Sequence, residues 1–206
     1  MTERRIVALS AGLGQPSSTR LLADRLAEAT ATELADRGQR PEVRVVELRD
    51  HAHDIVNAML TGVPSPALAE VIEAVTGADA LIAVTPLFTT TYSGLFKSFI
   101  DILDKDGIIG LPVLLGATGG TARHSLAVEY SMRPLFTYLR ADVATTSVFA
   151  ATDDWAAAEG DSGGGLPARI ARAGRELAET VALRKNTGPA DPFAGTPDFT
   201  ALLGGL

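Results

Sequence analysis

Residues 9–26, LSAGLGQPSSTRLLADRL, run from an apolar stretch through glycines and hydroxyl side chains into a helical pattern. Upstream, Ile6 to Leu9 read as a short strand. Downstream, Leu22, Leu26 and Ala29 recur at helical spacing. A βα turn of this composition decides between nucleotide-binding designs. A Walker A loop needs GxxxxGK followed by Ser or Thr, but no lysine follows Gly12 and Gly14. A dinucleotide fingerprint needs a third glycine where Ser17 stands. What remains is a loop presenting Ser10, Ser17, Ser18 and Thr19 beside a helix N-terminus. Its free N–H groups and positive partial charge suit a phosphate. One of these serines can equally serve as the helix N-cap, a task that needs a single hydroxyl.

Working outward, short apolar runs at Val43 to Val46, Ala80 to Val84, Pro112 to Leu115 and Val143 to Phe149 complete a set of five strands. Helical periods separate or follow them: Leu68, Val71, Ile72 and Val75; Leu95, Phe96, Phe99, Ile100 and Leu103; Val128, Met132, Leu135, Phe136 and Leu139; Ile170, Ala173, Leu177 and Val181. This βα alternation predicts an α/β fold, a doubly wound five-stranded parallel sheet in 2-1-3-4-5 order, which is flavodoxin-like architecture. Asp153 to Pro167 reads as a loop. Residues 1–187 are expected to form one domain, and 188–206 a C-terminal tail with apolar anchors at Phe193, Phe199, Leu202 and Leu203.

Composition narrows the function. The 206 residues are 46% hydrophobic and 21% charged, enough for one sizeable core. No apolar run is long enough to span a membrane, and the charged start MTERR is unlike a signal peptide, so a cytoplasmic protein is expected. The absence of cysteine excludes thiol catalysis and disulfides from this sequence. A net charge of −7 argues against a nucleic-acid surface. His51, His53 and His124 have no metal-ligand pattern.

Two further stretches should meet the first loop at the carboxyl edge of the sheet. TPLFTTTYSGLFKSFID, residues 85–101, offers an apolar wall at Pro86, Leu87 and Phe88 and polar groups at Thr89 to Thr91. Phe96, Phe99 and Leu103 read as core, and Lys97 with Asp101 as a helix-surface pair. GATGGTARHSLAVEY, residues 116–130, carries Gly119 and Gly120, where backbone can approach a ligand closely. A flat heterocycle suits this mixture. In the helix that follows, the ring of Pro134 would meet the carbonyl of Tyr130. Leu126 and Tyr130 are out of phase with the later apolar stripe, so a π-type bulge is expected there.

The combination S-x-G…S-S-T-R, the 85–101 stretch and ATGGTARHSLAVEYSMRPL, residues 117–135, resembles the NAD(P)H-dependent FMN reductase family. It is most similar to the reductase components of two-component FMNH2-dependent monooxygenases of the alkanesulfonate type. The resemblance implies FMN, with NADPH or NADH as hydride donor to flavin N5. It places the FMN phosphate at Ser10, Ser17, Ser18 and Thr19, and the isoalloxazine at Pro86, Leu87, Phe88, Thr89, Ala117, Thr118, Gly119 and Gly120. It also implies a homodimer or homotetramer, a flavin-dependent monooxygenase partner, and a π-insertion tyrosine, here Tyr130, at a subunit interface. Phe88 and Thr89 depart from the Tyr and the Asn or Lys frequent in the family. No catalytic acid or base is expected, because the hydride step needs positioning and electrostatic tuning. Arg20 and Arg123 are candidates for a nucleotide phosphate or for solvated surface roles. A quinone or azo reductase with permanently bound FMN and a flavodoxin-type electron carrier are the alternative readings.

Overall fold

A computed structural model describes residues 2–156 and 164–184 of the chain. In chain order the elements are β1 (Glu3–Ser10), α1 (Ser18–Asp36), β2 (Arg40–Glu47), α2 (Ala52–Thr61), α3 (Pro66–Thr76), β3 (Ala80–Phe88), β4 (Thr91–Tyr92) and α4 (Gly94–Asp101). They continue with β5 (Pro112–Gly119), α5 (Arg133–Tyr138), β6 (Asp142–Val143), β7 (Val148–Ala151), α6 (Thr152–Ala156) and α7 (Leu166–Leu183). Between β5 and α5 lie a 3₁₀ turn at Ala122–His124 and a π-helical turn at Val128–Met132.

The sheet separates two cores, as the period of two along β1 requires. Val7 and Leu9 face Leu68 of α3 and Phe96 and Phe99 of α4. Ile6 and Ala8 face Leu22 and Leu26 of α1 and Ile170 and Leu177 of α7. Ala80 to Val84 of β3 are buried throughout, matching a strand covered on both faces. Among the described residues no single helix is long and apolar enough to cross a membrane.

The flavodoxin-like α/β class is present, but the five-strand count and the 2-1-3-4-5 order are corrected. The sheet has seven strands in the order β2-β1-β3-β5-β6, with β7 also on β5 and β4 antiparallel on β3. The expected strand from Val143 to Phe149 is interrupted because the polar residues between its two apolar ends leave the ladder. There, the backbone N–H groups of Thr145 and Thr146 donate to the Glu176 carboxylate of α7. The other added strand, β4, turns back on β3 through Thr89 and Thr90, and both have positive φ, 50° and 77°. Such a two-residue turn ordinarily selects Asn-Gly.

Two helices were absent from the sequence reading. In α2 only Ile55 and Ala58 are buried. Within the expected loop from Asp153 to Pro167, Thr152–Ala156 is helical, with Asp153 and Asp154 favourably placed in its first turn, and α7 starts at Leu166 with Pro167 in its own. The tail expected at 188–206 lies outside the described residues.

Candidate functional site

The loop after β1 crosses the carboxyl edge of the sheet, where β3 and β5 also end. Ala11 N–H donates to the Val84 carbonyl at 2.9 Å, tying the loop to β3. Ser17 is the N-cap of α1, its hydroxyl accepting from Arg20 N–H at 3.1 Å. The capping role therefore belongs to one serine, and Ser18 stays exposed beside it. Gly12 is required by this close packing: a Cβ there would lie 2.1 Å from the Ser17 hydroxyl oxygen. From outside, Arg49 donates to the Gly14 carbonyl at 2.9 Å. Glu47 links the two neighbouring arginines, pairing with Arg20 at 3.0 Å and Arg49 at 2.9 Å. Arg20 also pairs with Asp24, whose hydrogen bond and negative charge raise its already high pKa against a smaller lowering by burial.

The loop opens onto a cleft of about 440 Å³. Its lining includes Ser17, Ser18 and Thr19 on one side, Pro86, Leu87 and Phe88 on another, and Thr118, Gly119 and Gly120 from β5 and the loop after it. Nine of the twelve expected site residues thus converge. The other three do not line it. Ser10 and Ala117 are fully buried in their strands, and Thr89 sits in the hairpin turn. Ser10 is nonetheless informative, because its buried hydroxyl has no hydrogen-bond partner. Thr19 and Thr118, both buried, share a hydroxyl–hydroxyl hydrogen bond of 2.8 Å across the cleft floor. Phe88 is 46% exposed, an apolar ring turned toward solvent at the mouth.

Supporting contacts hold these loops. Ser93 N–H donates to the Thr85 hydroxyl at 3.1 Å, and the Ser93 hydroxyl caps α4 by accepting from Phe96 N–H at 3.2 Å. Lys97 and Asp101 pair along α4 at 2.6 Å, the surface role read from their spacing. Gly119 packs its Cα against Phe149, whose ring a Cβ would meet at 2.9 Å. Gly120 has open space on its side-chain face.

The sequence reading missed the loop residues Gly12, Leu13, Gly14 and Pro16 as lining, and above all Thr152 and Trp155, which reach the cleft from α6. Aspartates and a downstream glycine run hid that helix. Beyond the cleft, the expected π segment is present: Arg133 N–H donates to the Val128 carbonyl, five residues back, and Tyr130 at its centre is 77% exposed. Glu129 in the same turn is held below the usual glutamate range by its hydrogen bond from the Arg133 guanidinium, opposed by burial and aided by Ser147.

A hydroxyl-lined helix N-terminus joined to an apolar wall and a glycine turn makes a cleft suited to a phosphorylated ligand with a flat ring. The profile of the NADPH-dependent FMN reductase family matches residues 4–156, and the chain belongs to that family. FMN reductase (NADPH) of Pseudomonas aeruginosa is 36% identical over 154 residues, covering 73% of this chain and 78% of that protein. NADH-dependent FMN reductase SfnF of Pseudomonas fluorescens is 37% identical over 154 residues, covering 74% and 79%. The X-ray structure of an oxidoreductase from Corynebacterium diphtheriae is 42% identical with a TM-score of 0.85, covering 90% of this chain and all of that one. The protein is an oxidoreductase that uses FMN and a nicotinamide nucleotide.

Proposed function

We propose that the cleft at the sheet edge is the FMN site and that the reduced flavin leaves the protein to serve a flavin-dependent monooxygenase. The observation that carries the reading is the meeting of Ser17, Ser18 and Thr19 with Pro86–Phe88 and Gly119–Gly120 in one cleft. Ser18 and the free N–H groups of α1 suit a phosphate, and the unpartnered Ser10 hydroxyl lies buried at the end of β1, just before the loop. Pro86, Leu87 and Phe88 offer the apolar face that a planar ring needs, while Thr118 and the backbone beside Gly120 offer hydrogen-bonding groups to its polar edge.

When bound, FMN supplies a ring nitrogen, N5, that accepts the nicotinamide hydride. The chain's part is to orient the rings and to present N–H donors where negative charge grows. Exposure of Phe88 at the mouth favours exchange with solvent or a partner.

The test is oxidation of NADPH and NADH by flavin-stripped protein in air as FMN is titrated. Saturable turnover from a colourless preparation supports diffusible flavin. A yellow preparation that turns over only with added quinone or dye would replace the reading with a bound-flavin reductase.

A further inference from the structure

Trp155 is the sole tryptophan of the chain and lines the same cleft as Ser17, Ser18 and Thr19. The helix that carries it has five residues, too few to be stable alone. It is fixed from two sides. Asp154 accepts from Ala151 N–H at 2.8 Å and pairs with Arg169 of α7, which also donates to the Phe149 carbonyl at 2.6 Å. From α1, the helix that begins at the hydroxyl loop, the Arg25 guanidinium stacks over the indole 5.4 Å from the ring centroid. The indole also packs on the core between the sheet, α1 and α7. A bulky plate is thus held in the cleft lining that also includes the hydroxyl loop.

The position matters for one choice a flavin site must make. FMN ends at its phosphate. FAD carries the same ring, ribityl arm and first phosphate, then continues through a second phosphate to adenosine, so it needs an open way out beyond the cradle. On the loop side, the Leu13–Pro16 segment is held by Arg49 on the Gly14 carbonyl. On the α6 side stands Trp155. We infer that Trp155 is a specificity-determining residue that restricts this cleft to the mononucleotide by obstructing the path of the adenylate arm of FAD. The inference rests on the assignment of the cleft to FMN.

The experiment compares kcat/KM for FMN and for FAD in the full-length protein and its W155A, W155F and R25A variants, with equilibrium binding of added FMN measured separately by ultrafiltration. Wild type should favour FMN. W155A should lower the FMN:FAD ratio about tenfold, chiefly through a smaller KM for FAD. W155F, which keeps an aromatic plate, should restore most of the discrimination, and R25A, which unpins the indole, should shift the ratio the same way by less. A ratio unchanged in W155A, or no preference in wild type, with FMN still bound at equilibrium, would overturn the inference and leave the FMN assignment standing. Absence in wild type of both measurable FMN binding and FMN-dependent turnover would overturn both. Should W155A not fold, R25A decides: an unchanged ratio there counts against the inference.

Discussion

The Thr19 and Thr118 hydroxyls, ninety-nine residues apart in sequence, meet at 2.8 Å and join the first turn of α1 to the end of β5. The bond therefore ties the hydroxyl-loop side of the cleft to its glycine side. Either threonine changed to valine keeps the shape but leaves the other buried hydroxyl unpaired, at a cost of about 1–2 kcal/mol. Removing both hydroxyls removes the orphan. The double variant T19V/T118V should therefore lose less stability than the two single losses combined, a non-additivity read from a double-mutant cycle of denaturant melts. Strict additivity would mean that the hydroxyls do not depend on each other.

Thr90 has φ 77° in the turn between β3 and β4, next to Thr89 at φ 50°. A β-branched residue is strained in this region, whereas glycine is not. T90G should stabilise the protein by about 0.5–1 kcal/mol, the relief of strain exceeding the extra chain entropy of glycine. A lower melting temperature for T90G would show the turn to be relaxed as it stands.

The same turn shows where the sequence is readable and where it is not. β1, β3 and β5 are legible because both sheet faces are covered, leaving unbroken apolar runs, and nine cleft residues follow from where those strands end. The β4 hairpin is not, because Thr89-Thr90 lacks the glycine and asparagine that announce such a turn. Helix α2 is obscured by exposed Val56, Met59 and Leu60, which outnumber its buried Ile55 and Ala58 and blur the helical period. Trp155 enters the site through Arg25 over its ring and Arg169 on the neighbouring Asp154, tertiary contacts that no local pattern reveals.

Tyr130 projects 77% exposed from the π-helical turn, with Leu126 exposed at 62% nearby in sequence. These two large side chains, four residues apart, form an exposed patch that a second subunit would cover. We expect Y130S to shift the protein toward smaller assemblies in light scattering after size exclusion, and to change the fraction of FMN retained. An identical mass distribution for the variant would remove Tyr130 from any interface.

Glu129 accepts from Arg133 through both carboxylate oxygens and from the Ser147 hydroxyl at 2.7 Å. Arg133 in turn donates to the Ala144 and Thr145 carbonyls, so the pair links the π turn to the β6–β7 connection. The folded-state pKa of Glu129 is lowered, first by the Arg133 hydrogen bond, against burial. Its stabilisation is then fully present above the ordinary glutamate value of about 4.3 and is lost as pH falls through the lower folded value. E129Q should melt below wild type at neutral pH, and the gap should close in acid. A gap that stays constant across this range would exclude the titration of Glu129 as its source.

Gly174 of α7 faces α1 so closely that a Cβ would lie 2.8 Å from the Ala29 Cβ and 2.9 Å from the Thr30 backbone nitrogen. Two effects oppose each other in G174A. Alanine favours a helix interior by about 1 kcal/mol over glycine. Against that, the methyl group meets backbone, which cannot rotate away, and the two helices must separate; such overpacking costs about 1–3 kcal/mol. Separation would also loosen the Leu22, Leu26, Ile170 and Leu177 packing beneath the sheet. The contacts are with backbone, so the packing term is the larger, and G174A should lower stability by up to about 2 kcal/mol in denaturant melts. A G174A protein more stable than wild type would show that α1 and α7 can move apart freely, and that the close approach of the two helices at Ala29 is not what holds this face of the fold together.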